Sequence, residues 1–322
     1  MSFQAFVLDT PDDGEQVGAV RELTVDDLPE ADTLIDVQYS SLNYKDGLAV
    51  TGRGKIIRGE YPIVPGIDLV GRVMDTQSDR FAPGAFVIGT GWQLGEVVWG
   101  GFTQTAKVEA KRLVPLPDDL PPKQAMVVGT AGFTAMLSVM ALEEHGVEPE
   151  AGEVVVTGAS GGAGSMAVAL LSALGYEAVA STGSANAHEY LQALGASRIV
   201  GRDAFDQGPS RPMESGQWAG AVDAVGGKTL ATLLAQLKRH GTVASFGNAG
   251  GHELHTTVLP FILRGVNRLG IDSNTCANDR RTEAWQRIAH TLTPETLKRM
   301  THRTIGLTDL PEASDAILSG EV

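Results

Sequence analysis

Short apolar–polar alternation dominates the first third of the chain. Residues 3–9, 33–38, 69–74, 86–88 and 103–108 are rich in β-branched, aromatic and other apolar side chains, the pattern of half-buried strands. Turn signals such as Val64-Pro65-Gly66 and Ala82-Pro83-Gly84 separate them. This predicts a partly closed antiparallel β region. The period changes near Ala125. Residues 125–144 have a helical composition, with few breakers after Gly132. From Glu153 onward, strand and helix alternate. Residues 154–157, 178–180, 199–200, 220–223 and 242–246 read as strands, and 165–174, 187–194 and 230–238 as helices. Such alternation predicts a doubly wound parallel sheet, so the fold class is α/β with a separate β domain. Residues 281–292 read as an amphipathic helix before a polar tail, with no internal repeat.

Composition narrows the function. With 322 residues, 43% hydrophobic and 20% charged, the chain has an ordinary folded composition, and its length suits two domains. The 25 Lys+Arg against 39 Asp+Glu leave a net charge of −14. That disfavours nucleic acid or an anionic membrane as partner, since both select basic faces. The single cysteine, Cys276, excludes an internal disulfide framework and a zinc cluster built on this chain's thiolates. The start, Met1-Ser2-Phe3-Gln4, lacks the pattern of a signal peptide, and no apolar run reads as long enough to span a bilayer. A cytoplasmic protein is expected.

The most informative segment is Val154-Val155-Val156-Thr157-Gly158-Ala159-Ser160-Gly161-Gly162-Ala163-Gly164-Ser165. It follows a predicted strand and opens a predicted helix, the setting a dinucleotide fingerprint requires. Gly161 and Gly162 let backbone amides approach a pyrophosphate, and Gly164 allows close helix–strand contact. Ala159 stands where the template has its first glycine. NAD-specific sites carry an acid about twenty residues on; here the chain reads Ala180-Ser181-Thr182-Gly183-Ser184. Two hydroxyls replace the acid. Arg202, after the third strand, reads alone as a surface arginine and in this setting as a counter-charge to a 2′-phosphate. NADPH is favoured over NADH.

Ser41-Leu42-Asn43-Tyr44-Lys45-Asp46, Pro65-Gly66-Ile67-Asp68, Trp99-Gly100-Gly101, Gly129-Thr130-Ala131-Gly132-Phe133-Thr134-Ala135 and Val222-Asp223-Ala224-Val225-Gly226-Gly227 occur in that order. Together they resemble the zinc-free medium-chain dehydrogenases/reductases of the quinone-oxidoreductase type. Thr90-Gly91-Trp92 and Pro260-Phe261-Ile262-Leu263-Arg264-Gly265-Val266 point to the acrylyl-CoA reductase branch. The resemblance covers nearly the whole chain. It implies a GroES-like domain from residues 1–125 and 273–322, a Rossmann NADP-binding domain from 126–272, and ligands in a cleft. It also implies that Ala159, Ser160, Gly161, Gly162 and Ala163 hold the pyrophosphate, and that Ser181, Thr182, Gly183 and Arg202 hold the 2′-phosphate end. Tyr44, Thr130, Asn248, Ile262 and Ser273 are then expected beside the rest of the cofactor. Three departures stand out. Ser245-Phe246-Gly247-Asn248-Ala249-Gly250 differs from the family's small-residue-Cys-Gly pattern, and Ser184 replaces a common Arg or Lys. Members of the family also continue past the place of Val322 into one more strand, so no ligand contact is carried over from there.

No metal is expected. The place of the zinc enzymes' Gly-His-Glu reads Gly66-Ile67-Asp68, and Gly251-His252-Glu253 lies after the fifth Rossmann strand. The implied activity is NADPH-dependent reduction of a short 2-enoyl-CoA, acryloyl-CoA to propanoyl-CoA. Negative charge then builds on the thioester oxygen, and hydrogen bonds must stabilise it. Asn43 and Tyr44 are the candidate catalytic donors, on a loop. For Tyr44 two readings stay open, proton source or packing on the nicotinamide. Asp46 and Asp68 read as structural acids. Arg53, Lys55 and Arg58 are either a handle for coenzyme A phosphates or a solvated basic loop. Trp92 is either a wall of the acyl pocket or an ordinary packing residue. Alternative functions are an NADPH quinone or enone oxidoreductase and a non-catalytic NADPH-binding sensor. Residues 258–273 include the strand that relatives pair across a homodimer.

Overall fold

The computed structural model describes residues 1–10, 14 and 16–321. They divide into two compact units, Met1–Thr130 with Asn274–Ala289 and Leu297–Val322, and Ala131–Ser273 with His290–Thr296.

In the first unit, β1 (Ser2–Asp9) and β2 (Val17–Thr24) pair antiparallel, Ser2 opposite Thr24 and Asp9 opposite Val17. A five-stranded antiparallel sheet follows: β3 (Thr33–Tyr39), β4 (Asp68–Thr76), β5 (Phe86–Thr90), β6 (Thr105–Val108) and β7 (Leu113–Pro115), in the order β6-β3-β4-β5-β7. Between β3 and β4 a short helix, α1 (Tyr44–Val50), is inserted. The apolar sides of the strands build two clusters. Phe3, Phe6, Leu8, Val50, Ile63 and Phe102 form one, and Ile35, Leu69, Val73, Val87 and Leu94 the other. β2 was not expected: only three of its eight residues are part-buried and the rest are exposed, so it lacks an apolar stripe.

A long helix, α2 (Pro122–Glu144), leads away from this unit. Contrary to the expectation that no segment has the length for a membrane, α2 is long and apolar enough to cross one by composition. Its apolar side chains, among them Phe133, Met136, Val139 and Leu142, are instead buried in the protein. The helix is interrupted at Gly129, whose φ of 50° and ψ of −159° are not helical.

The second unit is the expected parallel sheet. It comprises β8 (Val154–Thr157), α3 (Gly162–Ala173), β9 (Ala178–Thr182), α4 (His188–Ala193), β10 (Arg198–Gly201), β11 (Trp218–Asp223), α5 (Gly227–Gln236), β12 (Leu237–Ser245), α6 (Leu259–Arg264) and β13 (Asn267–Gly270). The strand order is β10-β9-β8-β11-β12-β13. β8, β9 and β11 are buried throughout, as interior strands of a covered parallel sheet must be, while the edge strands β10 and β13 are partly exposed. Val155, Val179, Trp218, Leu233 and Val243 lie at the centre of its core. The predicted helix 230–238 starts three residues early and stops at Gln236, because the chain is already extended at Leu237.

The polar tail expected after residue 292 is instead helical. α7 (Asn278–Thr291), α8 (Pro294–Met300) and α9 (Leu310–Ser319) follow β13. α9 packs on α1 so closely that a Cβ on Gly47 would stand 2.9 Å from Ile317. α7 carries a buried cation. Arg281 is 1% exposed and donates to Thr90 O (2.7 Å), Thr90 Oγ1 (3.0 Å), Asn274 O (2.8 Å) and Cys276 O (2.9 Å). These bonds fix the chain's return to the end of β5.

Candidate active site

In the parallel sheet every strand ends at the same edge. Thr157 lies opposite Ser181 and Asp223, Thr182 opposite Gly201, Asp223 opposite Ser245, and Ser245 opposite Gly270. The strand order reverses between β8 and β11, the switch point at which such sheets bind ligands. β8 runs into Gly158 (φ 61°), and Gly161 caps α3. A Cβ on Gly164 would stand 2.2 Å from the oxygen of Gly158, so only glycine fits where the helix meets the strand end. At Gly161 and Gly162 a Cβ would meet nothing closer than 3.4 Å and 3.5 Å, and both residues are exposed with Ser160. The free amides of the helix start therefore face open space, as an anion requires.

The next strand end has no acid. Ser181 and Thr182 are buried, and the Thr182 hydroxyl donates to Ser160 Oγ (3.1 Å) and accepts from the Ser184 amide (3.1 Å). It thereby ties this loop to the glycine loop. Arg202 is exposed, and its guanidinium carbon lies 3.1 Å from where a Cβ on Gly183 would be. The cation thus covers the bare backbone beside the two hydroxyls. Asp223, fully buried, accepts from Thr157 Oγ1 (2.6 Å), Val225 N (3.1 Å) and Gly226 N (3.0 Å). Burial raises its pKa above the ordinary carboxylate value. The loops after β11 and β12 lie backbone to backbone, since a Cβ on Gly247 would be 1.9 Å from Ala224 O. They present Asn248, exposed, and Ser273 follows three residues beyond β13. Ala159 to Ala163, Ser181 to Gly183, Arg202, Asn248 and Ser273 therefore share one edge.

Ile262 lies between β12 and β13. It is 68% exposed on α6, whose end leans on the start of β12: Leu263 O accepts from Arg239, and Arg264 donates to Ala235 O and Leu237 O.

The catalytic candidates of the first unit hang from Asp68, which is fully buried. Its Oδ2 accepts from Ser41 Oγ (2.6 Å), Asn43 Nδ2 (2.9 Å) and Thr130 N (2.9 Å), and its Oδ1 from Thr130 Oγ1 (2.5 Å). A Cβ on Gly129 would stand 2.8 Å from the same carboxylate, which explains the break in α2. Thr130 is thus held by this acid through both its amide and its hydroxyl.

Two expectations change here. Asn43 and Tyr44 are not on a loop; Asn43 is the N-cap of α1, and Tyr44, 58% exposed, is its first residue. Asn43 also does not offer its amide to a substrate, because Nδ2 is bound to Asp46 (3.0 Å) and Asp68 (2.9 Å) at once. It positions Tyr44 instead. The signal for this was Asn43-x-x-Asp46, a capping pattern in which the acid accepts from the N-cap amide (2.8 Å). Asp46 further accepts from Ile67 N (2.9 Å).

The basic cluster is also altered. Arg53 pairs with Asp315 (2.7 Å) and Arg58 with Glu96 (2.7 Å), which takes Lys45 as well (2.9 Å). Glu96 is buried and was not anticipated. Lys55 stands exposed beside these pairs. Trp92 is part-buried, its ring face 5.4 Å from the Arg281 guanidinium. His252 and His255 are exposed, and among the described residues no group of three or more His, Cys, Asp or Glu is placed to hold a metal ion.

The Asp46 carboxyl is pushed up to about 7, first by burial and then by the negative Asp68 beside it. The native state therefore holds a proton that the unfolded chain releases near pH 4. This contribution to stability is complete below about pH 4 and is lost as pH rises to about 7. In urea unfolding from pH 4 to 8, Asp46→Asn should gain on the wild type steadily up to about pH 7 and then hold level. A gap constant with pH would contradict this assignment.

Comparison with known proteins places this geometry. Residues 29–118 match the family model of the alcohol dehydrogenase GroES-like domain, and residues 162–290 that of the zinc-binding dehydrogenases. The chain is 50% identical to the acrylyl-CoA reductase AcuI of Ruegeria pomeroyi, over 99% of this chain and 97% of that one. It is 47% identical to the putative quinone oxidoreductase YhfP of Bacillus subtilis, over 94% and 92%. The crystal structure of the YhdH oxidoreductase from Salmonella enterica in complex with NADP superimposes with a TM-score of 0.95 at 50% identity, covering 99% of this chain and 97% of that one. The chain therefore belongs to the zinc-free medium-chain dehydrogenases/reductases of the acrylyl-CoA reductase type.

Proposed function

We propose that the chain is an NADPH-dependent reductase of a short 2-enoyl-CoA, converting acryloyl-CoA to propanoyl-CoA. The observation that carries this is the 50% identity, over nearly the whole chain, with a protein named acrylyl-CoA reductase. The residues fit the cofactor. The open amides of Gly162 and Ala163 at the start of α3 suit a pyrophosphate, with Ala159, Ser160 and Gly161 beside them. Ser181, Thr182, Gly183 and Arg202 suit a 2′-phosphate, with no carboxylate at the end of β9 itself. Thr130, Asn248 and Ser273 are assigned to the nicotinamide side.

When bound, NADPH supplies the hydride. The β-carbon of the substrate gains that hydride, the α-carbon gains a proton, and the C=C bond becomes a single bond. The chain's task is to hold the acyl group in register and to donate to the thioester oxygen as charge collects there. Tyr44 is assigned the proton delivery, since its side chain is exposed at the head of α1 while its neighbours Asn43 and Asp46 are tied down. Of the cationic loop, Lys55 is the side chain left for coenzyme A phosphates, Arg53 and Arg58 being paired. We assign the protein to the cytoplasm as a homodimer. Exposed Val258, Ile262 and Leu263 beside the edge strand β13 support the pairing.

The Bacillus relative's name keeps a quinone reading in view. Steady-state NADPH oxidation separates the two. kcat/KM with acryloyl-CoA should exceed that with 1,4-benzoquinone by about tenfold or more. Equal or better quinone turnover would reverse the assignment, and no turnover of either would favour a sensor. For the cofactor, Arg202→Ala should weaken NADPH in a fluorescence titration by about tenfold or more and leave NADH nearly unchanged. Equal weakening of both would refute the role of Arg202.

A further inference from the structure

The turn that follows β5 is built against its own conformational preference. Gly91, Trp92 and Gln93 all have left-handed backbone, with φ of 66°, 49° and 65°. Glycine takes this region freely, but each non-glycine residue there costs about 1–2 kcal/mol. Two such residues in a row, one of them bulky, need support from outside. Asn274 supplies part of it: its carbonyl accepts from Trp92 N (2.8 Å) and its side-chain oxygen from Gln93 N (3.1 Å). Arg112 donates to the carbonyl of Trp92. Arg281, held at the end of β5 by Thr90, lies under the indole ring.

The indole brings a second cost. Trp92 Nε1 is buried and makes no hydrogen bond, whereas a buried indole N–H ordinarily finds an acceptor. Phenylalanine would place a ring here without that orphan donor, and glycine would take the backbone without strain. Local stability explains neither the fold of the turn nor the residue at its centre. Strain of this kind, held in place from several sides, marks positions where the side chain serves something else.

The strand register says what lies nearby. Thr90, the last residue of β5, is directly opposite Asp68, the first of β4. Asp68 holds Asn43 and so the start of α1, and the residue before it, Ile67, donates to Asp46. The turn carrying Trp92 therefore leaves the sheet at the same end, from the neighbouring strand, as the segment that seats Tyr44.

We propose that Trp92 is a specificity-determining residue: its ring is held at this sheet end to close the acyl site beyond the β-carbon and restrict it to the shortest enoyl chains. The proposal rests on the acyl-CoA reading above. Its mechanism is steric, since a pocket wall discriminates one added methylene by roughly 10–200-fold. The orphan N–H and the left-handed turn are the costs of keeping that wall rigid.

The test is a chain-length series, acryloyl-, crotonyl- and 2-hexenoyl-CoA, with wild type, Trp92→Phe and Trp92→Gly. Glycine suits the left-handed backbone, so this variant keeps the turn while removing the ring. Thermal melting and NADPH titration confirm that each variant is folded. Trp92→Gly should raise the ratio of crotonyl- to acryloyl-CoA kcat/KM by about tenfold or more, with a larger rise for 2-hexenoyl-CoA. Trp92→Phe should keep the wild-type ratio within about threefold. An unchanged ratio in Trp92→Gly, with acryloyl-CoA still reduced by the wild type, would overturn the proposal alone. Failure of the wild type to reduce any enoyl-CoA would overturn both the proposal and the acyl-CoA reading.

Discussion

One buried carboxylate organises the first unit. Asp68 takes up donors from Ser41, Asn43 and Thr130, two segments far apart in the chain. A buried charge is tolerable only when its lone pairs are satisfied, and here four bonds satisfy them. The consequences spread outward. Asn43 is oriented, so α1 starts where it does and Tyr44 stands exposed at its head. Gly129 must lack a side chain, so α2 breaks before Thr130. Asp46, sharing Asn43 with a neighbour that holds the negative charge, keeps its own proton toward neutral pH. The same strand end passes the constraint to Thr90, to Arg281 and to the strained turn at Trp92.

The parallel sheet was readable from the chain because its code is local. A run such as Val154-Val155-Val156-Thr157 followed by glycines announces strand, loop and helix with no distant partner needed. Arg202 was also legible, as the cation after the third strand. What could not be read depended on contacts between remote segments. Asn43 looked like a free donor although Asn43-x-x-Asp46 is a capping pattern; its second tie, to Asp68, comes from a remote segment. Arg53 and Arg58 looked like a free basic cluster because Asp315 and Glu96 lie far along the chain. β2 gave no clear period, since it is mostly exposed, whereas α9 was missed although Leu310, Ala313 and Ser314 recur on its buried side at helical spacing.

The net charge of −14 acquires a local meaning. Two polyanionic ligands are proposed for an acidic protein. Of the candidate basic loop, Arg53 and Arg58 are paired with carboxylates, leaving Lys55, while Arg202 lies over the backbone of Gly183. Attraction is thus confined to a few points, and helix-start amides supply the remainder without adding net charge.

Asp68 positions both the Tyr44 segment and Thr130. Pre-steady-state turnover and NADPH titration of Asp68→Leu measure this directly. The variant should lose about a hundredfold or more in hydride transfer to acryloyl-CoA, because misplacement by about 1 Å carries that penalty, a loss larger than the weakening of NADPH that follows from releasing Thr130. Transfer at the wild-type rate would contradict the account, and so would a loss confined to NADPH binding.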